Sequence, residues 1–138
     1  MTMHLPAITA TYLAALALLY AALGLQVVRL RRRNRAGFGD GGDTELRSAI
    51  RAHAHFAEYV PIIVLMVALL EASGLPALRV HLLMAALLLA RVLHPVGMHA
   101  SPGSLQFNLG RIGGMVITII VMVSSALLIL SRLSLTLF

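Results

Sequence analysis

Thr44-Glu45-Leu46-Arg47-Ser48-Ala49-Ile50-Arg51-Ala52-His53-Ala54-His55-Phe56-Ala57-Glu58-Tyr59-Val60-Pro61 is the stretch on which the fold turns. It begins as a polar helix and runs on into an apolar segment that reaches Leu70. Asp43 or Thr44 can cap its N-terminus, because their side-chain oxygens accept from N–H groups that the first turn leaves unpaired. Arg47, Arg51, His55 and Glu58 follow at i, i+4, i+8 and i+11. At ~100° per residue they share one stripe about 80° wide. The opposite face, with Ala49, Phe56 and Val60, is small or apolar. Glu58 lies ~16 Å along the axis from Arg47, in or near hydrocarbon depth, where an acid needs a cationic or hydrogen-bonding partner.

The rest of the chain explains why the segment enters a membrane. Of 138 residues, 59% are hydrophobic and 12% charged, and the mean hydropathy is +0.92. A small soluble domain cannot hide that much apolar surface, and a disordered chain would not carry it. Four helices are expected over about 5–28, 44–72, 77–98 and 109–133, each long enough to cross the ~30 Å hydrocarbon layer. The fold class is therefore all-α and integral to the membrane, a four-transmembrane-helix bundle in a single domain over 1–138. The first segment lacks Arg or Lys between Met1 and Pro6 and has a long apolar run. It reads as a retained helix rather than a signal peptide. Ser73-Gly74-Leu75-Pro76 predicts a tight turn, and the run from Gly97 to Gly103, with Pro102, a break before helix four.

Charge sets the orientation. The 11 basic residues, all Arg, face 5 acidic ones. A basic, Gly-rich loop over 29–43 holds Arg29, Arg31, Arg32, Arg33 and Arg35, and Arg47, Arg51, Arg91 and Arg111 fall on the same side. Only Arg79 and Arg132 fall on the other. The positive-inside rule places the loop in the cytoplasm and both termini outward. Such confinement suits a topology signal rather than nucleic-acid binding. No Cys is present, so disulfides, thiolate metal sites and a Cys nucleophile are excluded. Gly37-Phe38-Gly39-Asp40-Gly41-Gly42 fits a GxGxxG string but follows a membrane helix with no βαβ unit, so it reads as an adaptable turn. His53 and His55 are two apart on a helix and point apart, which argues against a shared metal. Helix one has no acid, so a proton-coupled multidrug transporter would lack its coupling group. Gly110 and Gly114 form a GxxxG pair that predicts close helix packing.

Arg91 and His94 on helix three, with Arg111 opening helix four, offer partners to the acid of helix two. The expected result is a cationic pocket between helices with one buried acid. Guanidinium groups bind carboxylates bidentately, so the pocket suits a small anionic ligand; a structural Arg–Glu network would use the same residues.

These residues resemble MAPEG, the membrane-associated proteins in eicosanoid and glutathione metabolism. Val28-Arg29-Leu30-Arg31 ends helix one, Arg51 to Pro61 looks like the family's Arg, Asn and Glu-Tyr-x-Pro signature, and Arg91-Val92-Leu93-His94 lies near the end of helix three. The Gly39 to Gly42 loop and Leu46 to Arg51 look like the small bacterial branch. The resemblance implies a homotrimer in a bacterial inner membrane, with glutathione between neighbouring subunits near the cytoplasmic helix ends. Arg29, Arg51, His55, Glu58, Tyr59, Arg91 and His94 would line that site, Glu58 receiving the ligand's amino group and the Arg residues its carboxylates. It further implies a transferase or peroxidase acting on a hydrophobic substrate that enters from the bilayer. His55 stands where the family usually has Asn, and Met98 where the eicosanoid enzymes have Tyr. The Arg that holds the glutathione thiolate in those enzymes is matched here by Leu105 and Phe107, so Arg111 is the nearest candidate for the catalytic role. The alternative is a non-catalytic scaffold that binds a lipid or another anionic metabolite.

Overall fold

A computed structural model describes residues 5–101 and 103–137. Residues 1–4 and Pro102, on which the reading of the N-terminus and of the break before helix four partly rested, lie outside the described residues. Four long helices form the bundle: α1 (Ala7–Arg33), α2 (Thr44–Ala72), α3 (Ala77–Met98) and α4 (Gly114–Leu137). A π-helical turn, Phe107–Gly113, runs directly into α4. Each span is long and apolar enough to cross a bilayer. α2 and α3 touch each other and both outer helices, whereas α1 packs on α2 and α3.

The core follows the apolar stripes. Leu16 and Leu23 of α1 meet Phe56, Val60, Ile63 and Val67 of α2, with Met84 and Leu87 of α3 and Val121 of α4. A smaller cluster of Leu30, Leu46 and Ala49 closes the basic end. Large apolar side chains such as Leu18, Leu78, Leu82, Leu127 and Leu130 point outward. An outward Leu in this number is a liability in water and ordinary in lipid.

Helix ends are set by named groups. Asp43 caps α2 by accepting from the Leu46 N–H at 2.6 Å. At its other end Leu75 N–H reaches the Leu70 carbonyl at 2.9 Å and Gly74 N–H reaches that of Glu71 at 2.9 Å, with Gly74 left-handed at φ +86°. That 6→1, 5→2 pair is a Schellman ending, for which glycine is the usual left-handed residue. α1 ends in the same pattern. Ala36 N–H bonds to the Arg31 carbonyl and Arg35 N–H to that of Arg32, but the left-handed residue is Arg35, at φ +49°. A side chain there costs roughly 1 kcal/mol relative to glycine.

α1 extends to Arg33, beyond the expected end at Val28, because hydropathy marks the edge of the membrane and Arg is itself a good helix former. The expected loop is shortened accordingly. At the opposite end the Glu71 carboxylate accepts from the N–H groups of Ile8 (2.9 Å) and Thr9 (2.8 Å) and from the Thr9 hydroxyl (2.6 Å). A side chain of α2 thus satisfies the first turn of α1, which Pro6 cannot cap. Tyr12 and His81 meet at 3.2 Å near the same end. Arg132 donates to the Ser73 carbonyl at 2.8 Å, which ties α4 to the α2–α3 turn.

Candidate ligand-binding site

The site lies toward the basic end, where α2, α3 and the π turn converge. Close backbone approach brings them together. A Cβ on Gly110 would lie 2.6 Å from the Cα and N of Gly97, and one on Gly114 would lie 2.9 Å from the Ala90 carbonyl oxygen. Gly110 and Gly114 therefore act as the expected close-packing pair, with Gly97 as their counterpart on α3. π turns interrupt the regular register and recur at functional sites. Here the turn carries Arg111 to the mouth of a cavity of about 270 Å³, lined by Arg111, Ile112, Met115 and Val116 with His55 and His94. The Arg111 guanidinium sits 5.2 Å from the Phe107 ring centre, a cation–π contact.

A chain of three side chains crosses the α2–α3 interface. Arg51 Nη2 is 3.1 Å from His55 Nε2, and His55 Nδ1 is 3.0 Å from His94 Nε2. A guanidinium only donates, so His55 Nε2 accepts. In the neutral pair His55 Nδ1 then carries the hydrogen and donates to His94, whose own hydrogen is on Nδ1. His94 is buried, and its Nδ1 has no hydrogen-bond partner among the described residues. His53 turns the other way and stacks on Tyr20 of α1, with ring centres 4.4 Å apart, so the two histidines do point apart.

The remaining predicted residues divide. Tyr59 stands edge-on to His55 at 6.5 Å and packs against the core. Glu58, expected as the buried acid, is instead exposed, as is Arg51, because their stripe lies away from the buried face of Ala52, Phe56 and Val60. Glu58 forms no ion pair or hydrogen bond among the described residues. Arg91 does not line the cavity. It is 1% exposed and turned toward α4, donating to the Thr118 hydroxyl and, at 3.4 Å each, to the carbonyls of Gly114 and His55. Its guanidinium bolts three elements together without an acidic partner among the described residues. Arg29 is exposed on α1, with no hydrogen bond to the α2 stripe. Sequence reasoning missed Thr118; its signal is a hydroxyl one turn after Gly114 in a largely apolar span.

The adjoining loop is ordered by its own charges. Arg31 Nη1 donates to the carbonyls of Ala36, Gly37 and Gly39 at 3.4, 3.3 and 3.0 Å. Asp40 accepts from Arg47 and from the Gly42 N–H. The Arg47 guanidinium, helped by that N–H, holds the Asp40 carboxyl below the usual carboxylate range. Separately, α1 and α2 border an apolar groove of about 540 Å³, reached by Leu13, Tyr20, Phe56, Val60, Pro61 and Val64 among others. It shares no lining residue with the polar cavity.

The four long apolar helices define a four-helix integral membrane protein. Residues 9–131 match the MAPEG family, and the chain belongs to it. It is 39% identical over 92 residues to "Inner membrane protein YecN" of Escherichia coli strain K12, covering 67% of this chain and 70% of the relative. The same values hold for the protein of that name in Escherichia coli O6:H1. No solved structure gives a significant match.

Proposed function

We propose that the chain binds glutathione or a related anionic thiol at the outward face of the Arg51, His55 and Glu58 stripe, next to the His94 and Arg111 cavity. The observation that carries this reading is the unpaired, outward Glu58 in a membrane-spanning helix, one turn from His55 and two from Arg51. Charges at that depth are expensive unless something meets them. A zwitterionic ligand does so, its ammonium on Glu58 and a carboxylate on Arg51. The family supports an assembly in which a neighbouring copy closes the site, as a homotrimer, with Arg29 contributed across the boundary. Residence in a bacterial inner membrane, with the basic loop cytoplasmic and both termini outward, is supported by the related inner membrane protein and by the arginine distribution.

If the bound thiol reacts, Arg111 is the group placed to hold its sulfur as thiolate, since guanidinium charge favours the ionised form. The S–H proton leaves to a base, the sulfur bonds to an electrophilic carbon, and that carbon's leaving group departs. A lipid hydroperoxide would instead be reduced to alcohol and water by two thiols, which become a disulfide. The second reading is a non-catalytic scaffold for a lipid or other anionic metabolite. It is favoured by the separation of the larger apolar groove from the Arg111 cavity, since a transferase needs its hydrophobic substrate beside the sulfur.

Thermal unfolding in detergent, with and without millimolar glutathione, tests binding. A ligand at 100 times its Kd adds roughly 2.7 kcal/mol to the native state. A stabilisation in the parent that vanishes in Arg51→Ala is the expected result. No stabilisation by glutathione or its S-alkyl conjugates would end the glutathione reading.

A further inference from the structure

The arginines of the basic segment are not alike. Arg31 gives Nη1 alone to three loop carbonyls, leaving the rest of its guanidinium to the notch, whereas Arg33 pairs with Glu45 and Arg47 with Asp40. The side chains of Arg32 and Arg35 have no partner among the described residues, and both are exposed. With Arg31 they surround a notch of about 300 Å³, floored by Val28, Ala36 and Gly37. Arg35 holds its place with a left-handed backbone, at the position where the matching end of α2 uses Gly74. Glycine would suit that backbone better, so the guanidinium is kept there against a local preference.

Two further features point outward from the same place. Phe38, between two glycines of the loop that Arg31 ties down, is 95% exposed. On α1, exposed Leu18, Leu25 and Val28 are spaced so that Arg32 continues the same stripe past the apolar run, and Arg35 follows just beyond the helix end at the same notch. An acyl chain lying on that stripe leads its headgroup into the notch about one turn beyond Val28. An aromatic ring at the same level belongs in the interfacial layer of a bilayer.

We propose that the notch formed by Arg31, Arg32 and Arg35 binds the phosphate headgroup of an anionic phospholipid in the leaflet on the basic-loop side, with Phe38 inserted among neighbouring headgroups. Guanidinium pairs give phosphate bidentate hydrogen bonds, which distinguishes this from diffuse attraction of the whole segment. The site is independent of glutathione binding and stands or falls separately from it.

The chain has no Trp, so Phe38→Trp supplies a single fluorophore. In that background the full chain is reconstituted in vesicles of phosphatidylcholine and phosphatidylglycerol, with brominated acyl chains on one lipid or the other. Expected is stronger quenching by brominated phosphatidylglycerol than by brominated phosphatidylcholine at equal mole fraction. Each basic residue near an anionic surface is worth about a fivefold change in binding. Arg32→Gln combined with Arg35→Gly should therefore abolish the excess, and Arg35→Gly also relieves the left-handed backbone, so loss of folding is not the expected cause. Circular dichroism checks this. Arg33→Gln removes the same charge outside the notch and should keep most of the excess. Equal quenching by the two lipids in the parent overturns the proposal, as does an excess that survives the double variant. So does a loss as large in Arg33→Gln as in the double variant, which would mean diffuse attraction. Abolition of the excess by millimolar inorganic phosphate would assign the notch to free anions and overturn the lipid assignment.

Discussion

Gly110→Ala probes the contact that carries Arg111 to the cavity. The added methyl would stand 2.6 Å from the Cα and N of Gly97 and 2.7 Å from the Leu93 carbonyl oxygen. Comfortable separation between carbon atoms is about 3.5–4.0 Å, so α3 and the π turn must part by roughly 1 Å. Every atom in the way is backbone, and none can rotate aside. Overpacking costs ~1–3 kcal/mol, and this geometry belongs at the upper end, about 3 kcal/mol. Gly114→Ala meets the Ala90 carbonyl oxygen at 2.9 Å and the His94 Cβ at 3.3 Å, a milder conflict. It should cost roughly 1–2 kcal/mol. Gly24→Ala meets only the His53 ring, at 3.4 Å from Nε2 and 3.8 Å from Cδ2, an ordinary contact with a movable side chain. There the helix preference for alanine should leave stability unchanged or raised by up to ~1 kcal/mol. Reversible unfolding in mixed micelles with increasing dodecyl sulfate, followed by far-ultraviolet circular dichroism, ranks the three. A Gly110→Ala protein within ~0.5 kcal/mol of the parent would refute the close approach of α3 to the π turn. So would a Gly24→Ala protein that loses as much as Gly110→Ala.

Glu71→Ala removes three hydrogen bonds from the start of α1. It should cost about 2 kcal/mol in the same unfolding assay, with hydrogen exchange quickened at Ile8 and Thr9. His55→Asn can accept from Arg51 through its oxygen and donate to His94 through its nitrogen, so it should stay within ~1 kcal/mol of the parent. His55→Leu cuts both links and strands His94 Nε2, for a loss of about 2 kcal/mol; equal behaviour of the two variants would count against the three-residue chain. Asp40 has a folded pKa below its unfolded one. Its tie to Arg47 is therefore fully present above the ordinary value of about 3.9 and is lost as pH falls through the lowered folded value. A carbon-13 titration of its carboxyl should show a midpoint below that of an unstructured Asp, moved back upward by Arg47→Gln.

What could be read from the sequence was what periodicity and hydropathy encode. Four spans, the Ser73 to Pro76 turn, the Asp43 cap and the common stripe of Arg47, Arg51, His55 and Glu58 all follow from local spacing. The end of α1 did not, because apolarity stops at the membrane boundary while arginine lets the helix run on to Arg33. The π turn was hidden for a different reason. It arises where α3 and the start of α4 press backbone against backbone, and that pairing joins Gly97 to Gly110 across a break in helical structure. The inward turn of Arg91 was equally hidden. Its spacing from His94 places both on one face of α3, yet spacing cannot say that the guanidinium reaches forward to Thr118 rather than into the cavity.

Several polar groups at the end remote from the basic loop pair across helices, whereas several on the helices of the basic end face outward. At the end remote from the basic loop, Glu71 is met by Thr9 and Ile8, Tyr12 by His81, and Arg132 by Ser73. Those groups are satisfied within the chain, as membrane helices require of polar atoms with a structural role. At the basic end Arg91 and His94 are enclosed, but Arg51, Glu58, Arg111, Arg32 and Arg35 face outward. Under the proposed function, partners from outside the chain meet those outward groups. For the α2 stripe the proposed partner carries both signs of charge, since Glu58 and Arg51 stand on one face. For the notch beside α1 the proposed partner is an anion with an apolar tail, since Arg32 continues a stripe of exposed Leu and Val.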